Sequence, residues 1–356
     1  FLKEVETMNT LFWTVDKNEL KTASYPHIQQ AAKLLQQDEV VAFPTETVYG
    51  LGANAYSDKA VAKIFQAKGR PSDNPLIVHI SNKQQLTELV DNIPAHAEKL
   101  MEKFWPGPLT VIFPKKNNAS KLVTAGLDTI AIRMPDHPVA LALIEESGLP
   151  LAAPSANLSG KPSPTTAKHV VDDLDGKVAG IVDGGPTGVG LESTVLDCTT
   201  EIPIILRPGG VTKEQLEQVV GEVGVDPALT TENVELKPKS PGMKYTHYAP
   251  IAPLYIVEGT VDYLQHIVDK SRADGKVVGI LSTDEHKNSL SADVVLSVGT
   301  HADLATVAAN LYEKLRQFNE TNVDVIYSES FPADGVGAAI MNRLNKAAGH
   351  KVLKSE

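Results

Sequence analysis

The chain has 356 residues, 42% of them apolar and 22% charged, with 33 Lys and Arg against 44 Asp and Glu for a net charge of -11. That length exceeds one typical domain, so two are expected. The acidic balance disfavours wholesale binding to a phosphate backbone, and no apolar run reaches the roughly 18 residues of a membrane span.

Glu4 and Glu6 stand near the start without an apolar signal core, so no secretory signal is expected, Met8 is expected to be the natural start, and a cytoplasmic location follows. A helix is expected over 26–37, then a buried strand over 39–43, where the Val- and Phe-rich run ends at Pro44. Pro44-Thr45-Glu46-Thr47-Val48-Tyr49-Gly50-Leu51-Gly52 follows it. Ser57 or Asp58 caps a helix over 58–67 in which Val61, Ile64 and Phe65 fall at helical spacing. Lys68 sits in its last turn, Gly69 just past it, and Pro71 forbids continuation. Lys68-Gly69-Arg70-Pro71-Ser72-Asp73-Asn74 then leads into a strand over 75–80 that puts Ile77 and His79 on one face.

This order leaves Thr45, Glu46, Thr47, Lys68, Arg70 and Asn74 in loops at element ends, where function concentrates. Thr45 alone suits an ordinary turn. Lys68 and Arg70 together, on one rigid turn, suit a phosphate. A lone buried His such as His79 is more often a core residue than a ligand.

Further helices are expected over 94–104, 137–147, 165–174 and 211–220, and strands over 109–114, 129–134, 179–183, 193–198 and 203–207. In the strand from Thr129 to Met134, Thr129, Ala131 and Arg133 share one face and Ile130, Ile132 and Met134 the other. A mid-strand Arg is costly to bury without an anion; the alternative is an edge strand with Arg133 in water. Cys198, the single cysteine, excludes an intramolecular disulfide and a multi-cysteine zinc site, and its apolar context predicts a core residue. Pro154-Ser155-Ala156-Asn157-Leu158-Ser159-Gly160, with Ser163 beyond, combines small residues that admit a ligand to the backbone with hydroxyl and amide donors. A plain turn entering the next helix is the alternative, and it suits Ser159. A Gly-rich loop, 184–190, runs into Leu191-Glu192-Ser193-Thr194, and Arg207-Pro208-Gly209 places a cation at a strand end.

Residues 221–250 show little apolar periodicity, hold Pro227, Pro238, Pro241, Gly242 and Pro250, and are expected to be a linker. Its Tyr245, His247 and Tyr248 serve either as packing anchors or as a lid over the first domain's site. From 251 the pattern alternates: strand 253–257, helix 261–273, strands 277–282 and 292–297, helix 303–317, strand 323–328 and helix 336–348. That alternation predicts a small Rossmann-like, doubly wound domain with a parallel sheet. Gly335-Val336-Gly337 half-resembles a dinucleotide loop, but a turn opening a helix is the better reading. No Walker motif, nucleophile elbow or clustered His/Cys metal motif is present. A constellation poor in nucleophiles and rich in anion binders suits nucleotidyl transfer.

Taken together, these blocks resemble, from about residue 20 to 350, the long two-domain form of the YrdC-type threonylcarbamoyl-AMP synthases. The resemblance implies an α/β chain: a YrdC-like twisted-sheet domain with a large concave site over 20–220, a linker or lid over 221–250 and the Rossmann-like domain over 251–356. It implies a nucleotidyltransferase that converts L-threonine, bicarbonate and ATP, with Mg2+, to threonylcarbamoyl-AMP and pyrophosphate for the threonylcarbamoyl-adenosine (t6A) modification of tRNA. By the same resemblance Thr47, His79, Arg133, Ala153 and Ser193 hold threonine. Arg70, Asn74, Thr129, Ser155, Ser163, Arg207 and Tyr245 hold ATP, and Lys68 and Arg70 act in catalysis on the phosphates or bicarbonate. No resident metal is expected. Transient contact with RNA or tRNA-modification proteins is expected, and none with a membrane. Three rivals stand beside this reading: an RNA-binding module, a carbamoyl-handling relative within a larger maturation enzyme, and a nucleotide binder whose site lies in the C-terminal domain.

Overall fold

The computed structural model describes residues 7–229, 239–241 and 247–356. Tyr245, expected to hold ATP, lies outside the described residues, as do 230–238 and 242–246 of the expected linker. The chain divides into two compact units, one of Phe1–Ser159, Pro164–Gly188 and Glu192–Lys244, the other of Gly160–Ser163, Val189–Leu191 and Tyr245–Glu356.

The first unit is built on β1 (Leu11–Thr14), β2 (Val41–Pro44), β3 (Tyr49–Asn54), β4 (Ile77–His79), β5 (Leu109–Pro114), β6 (Thr129–Arg133), β7 (Leu151–Ala152), β8 (Gly180–Asp183), β9 (Thr194–Asp197), β10 (Ile204–Arg207) and β11 (Gly224–Val225). Among the described residues these form one mixed sheet in the order β1-β8-β2-β3-β7-β4-β6-β5-β9-β10-β11. Its helices are α1 (Tyr25–Gln36), α2 (Asp58–Lys68), α3 (Lys83–Leu89), α4 (Ala95–Phe104), α5 (Lys121–Thr124), α6 (Pro138–Ser147), α7 (Ala167–Leu174) and α8 (Lys213–Val220).

Local signals place α2 well. The Ser57 hydroxyl accepts from the Ala60 N–H, and Gly69 closes the helix at φ 69°, the left-handed cap that glycine adopts without strain. The motif that follows Phe43 is a hairpin rather than a loop. β2 and β3 pair antiparallel from Val41↔Gly52 to Pro44↔Tyr49. Gly50 and Gly52 weaken the strand signal of β3, and packing is the reason for the second of them: a Cβ at Gly52 would stand 2.7 Å from Cε1 of Phe43.

The strand alternation holds. Val78, Ile80, Val111, Phe113, Ile130, Ile132 and Leu196 face the main core. Ile77, Ile112, Ala131, Val195 and Leu206 form a small apolar cluster on the other face. β6 lies between β4 and β5, inside the sheet, so Arg133 is not on an edge in water; it is 3% exposed. Cys198 is a buried core residue whose thiol burial pushes up to about 12.

The second unit holds β12 (Leu254–Glu258), β13 (Val278–Ser282), β14 (Val294–Ser297), β15 (Val325–Glu329) and β16 (Val352–Lys354), with α9 (Val261–Ala273), α10 (Leu304–Phe318) and α11 (Gly335–Ala347). The strands are parallel throughout, in the order β14-β13-β15-β12-β16. Val257, Leu264, Val268, Val278, Ile280 and Val325 are among its core residues. Gly335 opens α11, as the helix-opening reading of that motif requires. Tyr248 is a packing anchor of this unit: it is buried and stacks on Tyr312 at 5.2 Å. Among the described residues no helix is long and apolar enough to cross a membrane.

Candidate active site

Register brings one group of side chains to one end of the sheet's second face. β4 and β6 run parallel with His79 opposite Arg133. β5 runs antiparallel to β6, pairing Val111 with Ile132, so Thr110 comes one step further toward Arg133. β9 runs beside β5, and the Ser193 Oγ lies 2.7 Å from the Thr110 Oγ1. Arg207 reaches the same group past a register shift between Ile205 and Arg207, the kind of bulge that re-aims a side chain. Its Nε and Nη2 donate to the Ser193 carbonyl at 3.1 and 2.9 Å.

The β2–β3 turn supplies Thr47. Thr45 Oγ1 donates to the Val48 carbonyl at 2.7 Å and accepts from the Thr47 N–H at 3.1 Å, so Thr45 shapes the turn as an ordinary turn residue. The Thr45 and Thr47 hydroxyls lie 2.9 Å apart. Arg133 donates through Nη1 to Thr47 Oγ1 at 3.1 Å, through Nε to the Gly107 carbonyl at 3.1 Å, and through Nη2 to the Glu46 carboxylate. Glu46 also accepts from the Asp136 N–H at 2.7 Å. Burial, and then the neighbouring Arg207 charge, lower the Arg133 pKa to about 9. At neutral pH the guanidinium stays charged, and two buried like charges side by side favour an anion.

His79 is buried, with Nδ1 3.1 Å from the Ile77 carbonyl and its ring edge-on to Phe43 at 6.3 Å. A carbonyl needs a donor, so Nδ1 carries the proton. Burial pushes its pKa down to about 4, so the imidazole is neutral at pH 7. The unfolded chain takes up this proton first, near pH 6.5, so stability present above that pH is lost as pH falls toward 4. We expect the stability advantage of the wild-type chain over His79→Gln to shrink by about 3 kcal/mol between pH 6.5 and 4, measured by denaturant unfolding.

A second group gathers where α2 ends and β4 begins. Lys68 is 2% exposed. Its amine donates to the Ser155 carbonyl, to the Asn157 carbonyl at 2.9 Å and to Asn157 Oδ1 at 3.4 Å. Burial, and then the Arg70 charge, hold its pKa well below the usual lysine value, against the opposing fields of Asp173 and Glu192. The segment it grips is stitched to β3: the Leu51 N–H donates to the Pro154 carbonyl and the Ala156 N–H to the Tyr49 carbonyl. The buried Ala153 donates its N–H to the Ile77 carbonyl at 3.0 Å. Arg70 lies over the Phe65 ring, its Cζ 5.7 Å from the centroid. Asn74 is fully buried, and among the described residues neither its amide nitrogen nor its amide oxygen has a hydrogen-bond partner. Such orphans are rare and need an explanation; a ligand is one.

Thr129 begins β6 and Arg133 ends it, about 13 Å away at strand rise. The expected site residues therefore fall into two clusters. His79, Arg133, Ser193, Thr47 and Arg207 form one; Lys68, Arg70 and Ser155 form the other, with Asn74 in the chain between Arg70 and β4. Arg207, expected on the nucleotide, sits with the first cluster through Ser193. Ser163 is buried and belongs to the second unit's Gly160–Ser163 segment. Sequence reasoning missed Thr110, although it is the polar residue in the otherwise apolar run Leu109 to Phe113 and is fully buried. It also missed the roles of Glu46 and Asn157.

Gly209 explains part of the Arg207-Pro208-Gly209 motif. A Cβ there would stand 2.3 Å from the Thr194 nitrogen and 2.5 Å from the Glu192 carbonyl oxygen. Backbone has nowhere to yield. Gly209→Ala should therefore cost 3 kcal/mol or more, roughly the upper range for overpacking, and displace Ser193. Thermal unfolding together with threonine affinity would show both effects.

A family model described as telomere recombination (Sua5/YciO/YrdC) matches residues 33–209, and one described as threonylcarbamoyl-AMP synthase, C-terminal domain, matches 211–349. The chain is 61% identical over 348 residues to the threonylcarbamoyl-AMP synthase of Bacillus subtilis (strain 168), covering 98% of this chain and 100% of that one. It is 48% identical over 331 residues to the threonylcarbamoyl-AMP synthase of Pyrococcus abyssi (strain GE5 / Orsay), covering 92% and 95%. The solved structure of P. abyssi Sua5 complexed with L-threonine matches with a TM-score of 0.89 at 45% identity, over 98% of this chain and 99% of that one. With matching models along most of its length and such relatives over nearly all of it, the chain belongs to the Sua5/YrdC family of threonylcarbamoyl-AMP synthases.

Proposed function

We propose that the chain makes L-threonylcarbamoyladenylate and pyrophosphate from L-threonine, bicarbonate and MgATP, in the cytoplasm, as the activated donor for t6A formation on tRNA. The observation that carries this reading is the buried Arg133–Arg207 pair, set among the Thr47, Thr110 and Ser193 hydroxyls and the neutral His79. Two buried guanidiniums answer a carboxylate, and the hydroxyls answer a small hydroxylated amino acid. Three of the five Arg133 N–H groups are used within the protein, leaving two for the substrate carboxylate.

In this reading bicarbonate takes up a proton, its C–O bond breaks and water leaves, and the threonine amine attacks the carbon of the resulting carbon dioxide. A C–N bond forms, the amine gives up a proton, and a carbamate results. A carbamate oxygen then attacks the α-phosphorus of ATP. The bond from that phosphorus to the bridging oxygen breaks, and pyrophosphate leaves with the electron pair. Mg2+ enters with the nucleotide. Arg70, Asn74, Thr129 and Ser155 are assigned to the nucleotide, with Ser163 and Tyr245 assigned by family resemblance. Ala153 is assigned to the threonine side. The Asn74 amide supports the nucleotide assignment, since a purine edge or ribose would satisfy its buried donor and acceptor. Lys68 holds the Ser155–Asn157 backbone in place and adds positive charge beneath the phosphates.

The test is pyrophosphate release with ATP, Mg2+ and bicarbonate, with and without L-threonine, and with serine as control. Release that requires both threonine and bicarbonate supports the reading. Release indifferent to threonine, or none, overturns it.

A further inference from the structure

The second unit carries a side-chain cluster that the adenylate chemistry does not use. His286, His301 and Glu329 each offer one ligand-type atom, and these atoms lie within 4.8 Å of one another. Glu329 Oε1 is 2.5 Å from His286 Nδ1 and 3.3 Å from His301 Nε2. The other carboxylate oxygen, Oε2, is already held, accepting from the Thr283 N–H at 2.6 Å and the Thr283 hydroxyl at 3.0 Å. That division of labour is typical of metal sites: one oxygen oriented by a hydrogen-bonding partner, the other presented to the ion. The His301 ring is steadied against Phe331, with centroids 5.1 Å apart. The Glu329 side chain is 9% exposed, while the His286 and His301 side chains are 35% and 32% exposed. The cluster is thus buried on its carboxylate side and open on its imidazole side.

Its place in the fold agrees. Thr283 follows β13 and Glu329 ends β15, two adjacent parallel strands. The chain leaves β13 toward β14 on one side and β15 toward β16 on the other. The crevice between them is the topological switch point of the sheet, where doubly wound domains hold their ligands.

We propose that His286 Nδ1, His301 Nε2 and Glu329 Oε1 bind a divalent late transition metal of the Zn2+ class, leaving outward positions for water or an anionic ligand. Two imidazoles and one carboxylate are the donor set of open zinc sites. They suit Mg2+ and Ca2+ poorly, because those ions select oxygen. Bonds of about 2.0–2.1 Å place ligand atoms roughly 3.3 Å apart around a tetrahedral ion. Side-chain shifts of about 1 Å would reach that geometry from the distances above.

The experiment uses the untagged full chain, stripped with a chelator and titrated with Zn2+ alone, with Co2+ as an absorbing substitute and Mg2+ as control. One equivalent of zinc should bind below micromolar, cobalt should give a visible d–d band, and Mg2+ should not compete. His301→Ala and Glu329→Gln should each weaken zinc about 100-fold or more and remove the band. Thr283→Val, which keeps every ligand, should weaken it by roughly 10-fold. Unfolding curves accompany each variant, and if Glu329→Gln does not fold, His301→Ala with its part-exposed ring decides. Zinc affinity unchanged in His301→Ala, or no saturable binding by the wild-type chain, would overturn the proposal and leave a hydrogen-bonded trio.

Discussion

Arg133→Ala should lower kcat/KM for threonine by about 1,000-fold in threonine-dependent pyrophosphate release, equivalent to about 4 kcal/mol. The variant removes the fork that faces the proposed carboxylate and leaves Arg207 alone with it. It also strands Glu46, whose side chain is 15% exposed and paired with Arg133. Breaking a buried pair from one side costs about 3–5 kcal/mol of stability, so lost activity could be mistaken for lost fold. The double variant Arg133→Met, Glu46→Gln separates the two. With the stranded charge gone, its unfolding midpoint should return close to that of the wild type, while kcat/KM stays low. Arg133→Lys should also fail to restore activity, because an ammonium is a point charge and cannot span the Thr47 hydroxyl, the Gly107 carbonyl and a carboxylate at once. Full activity in the double variant would remove Arg133 from the threonine site.

Lys68→Met is expected to lower kcat/KM for ATP by 100-fold or more. Methionine keeps much of the volume but removes every donor that the Ser155 and Asn157 carbonyls and Asn157 Oδ1 now share. Unsatisfied buried acceptors cost about 1–3 kcal/mol each, and the segment would relax by moving. The backbone amides around Ser155 to Asn157 should then exchange faster with deuterium than in the wild type, which a loss of charge alone would not cause. A pH profile adds a second check. The ammonium supplies three donors and the neutral amine two, and burial with the Arg70 charge holds the pKa well below the ordinary lysine value. Activity should therefore fall on the alkaline side as this amine loses its proton, at a pH lower than a free lysine would require. That limb should be missing from the residual activity of Lys68→Met. An unchanged alkaline limb and unchanged exchange would leave Lys68 without the role argued for it.

Much of the scaffold was legible in the residues. Ser57, Gly69 and Pro71 bound one helix through caps and a missing N–H, signals that act within a few residues. Period-2 alternation from Thr129 to Arg133 correctly separated the two faces of β6, because side-chain direction in a strand is local geometry. The Pro44–Gly52 block was harder. Thr45, Glu46 and Thr47 are expected in a loop and no strand is expected after them, yet β3 is a strand that needs Gly52 because the Phe43 ring lies against it. Whether Arg133 was buried or in water could not be decided from its strand, since that depends on which strands flank it. Thr110 was visible as a polar residue in an apolar run, but its partner Ser193 is 83 residues away.

By itself, the sequence determined most of the longer elements, the faces of β6, the caps of α2 and the family, all written in short stretches or in ordered motifs, but not short pieces such as β1, β3, α3 and α5. Only the tertiary structure decided which of those motifs meet. Strand order and register set His79 against Arg133, and a shift after Ile205 accompanies the contact of Arg207 with Ser193. In the second unit His286 and Glu329 are 43 residues apart, and parallel strands joined by crossovers bring them together at one sheet end. Contacts of that kind depend on the summed burial of many distant apolar side chains, so no local pattern records them.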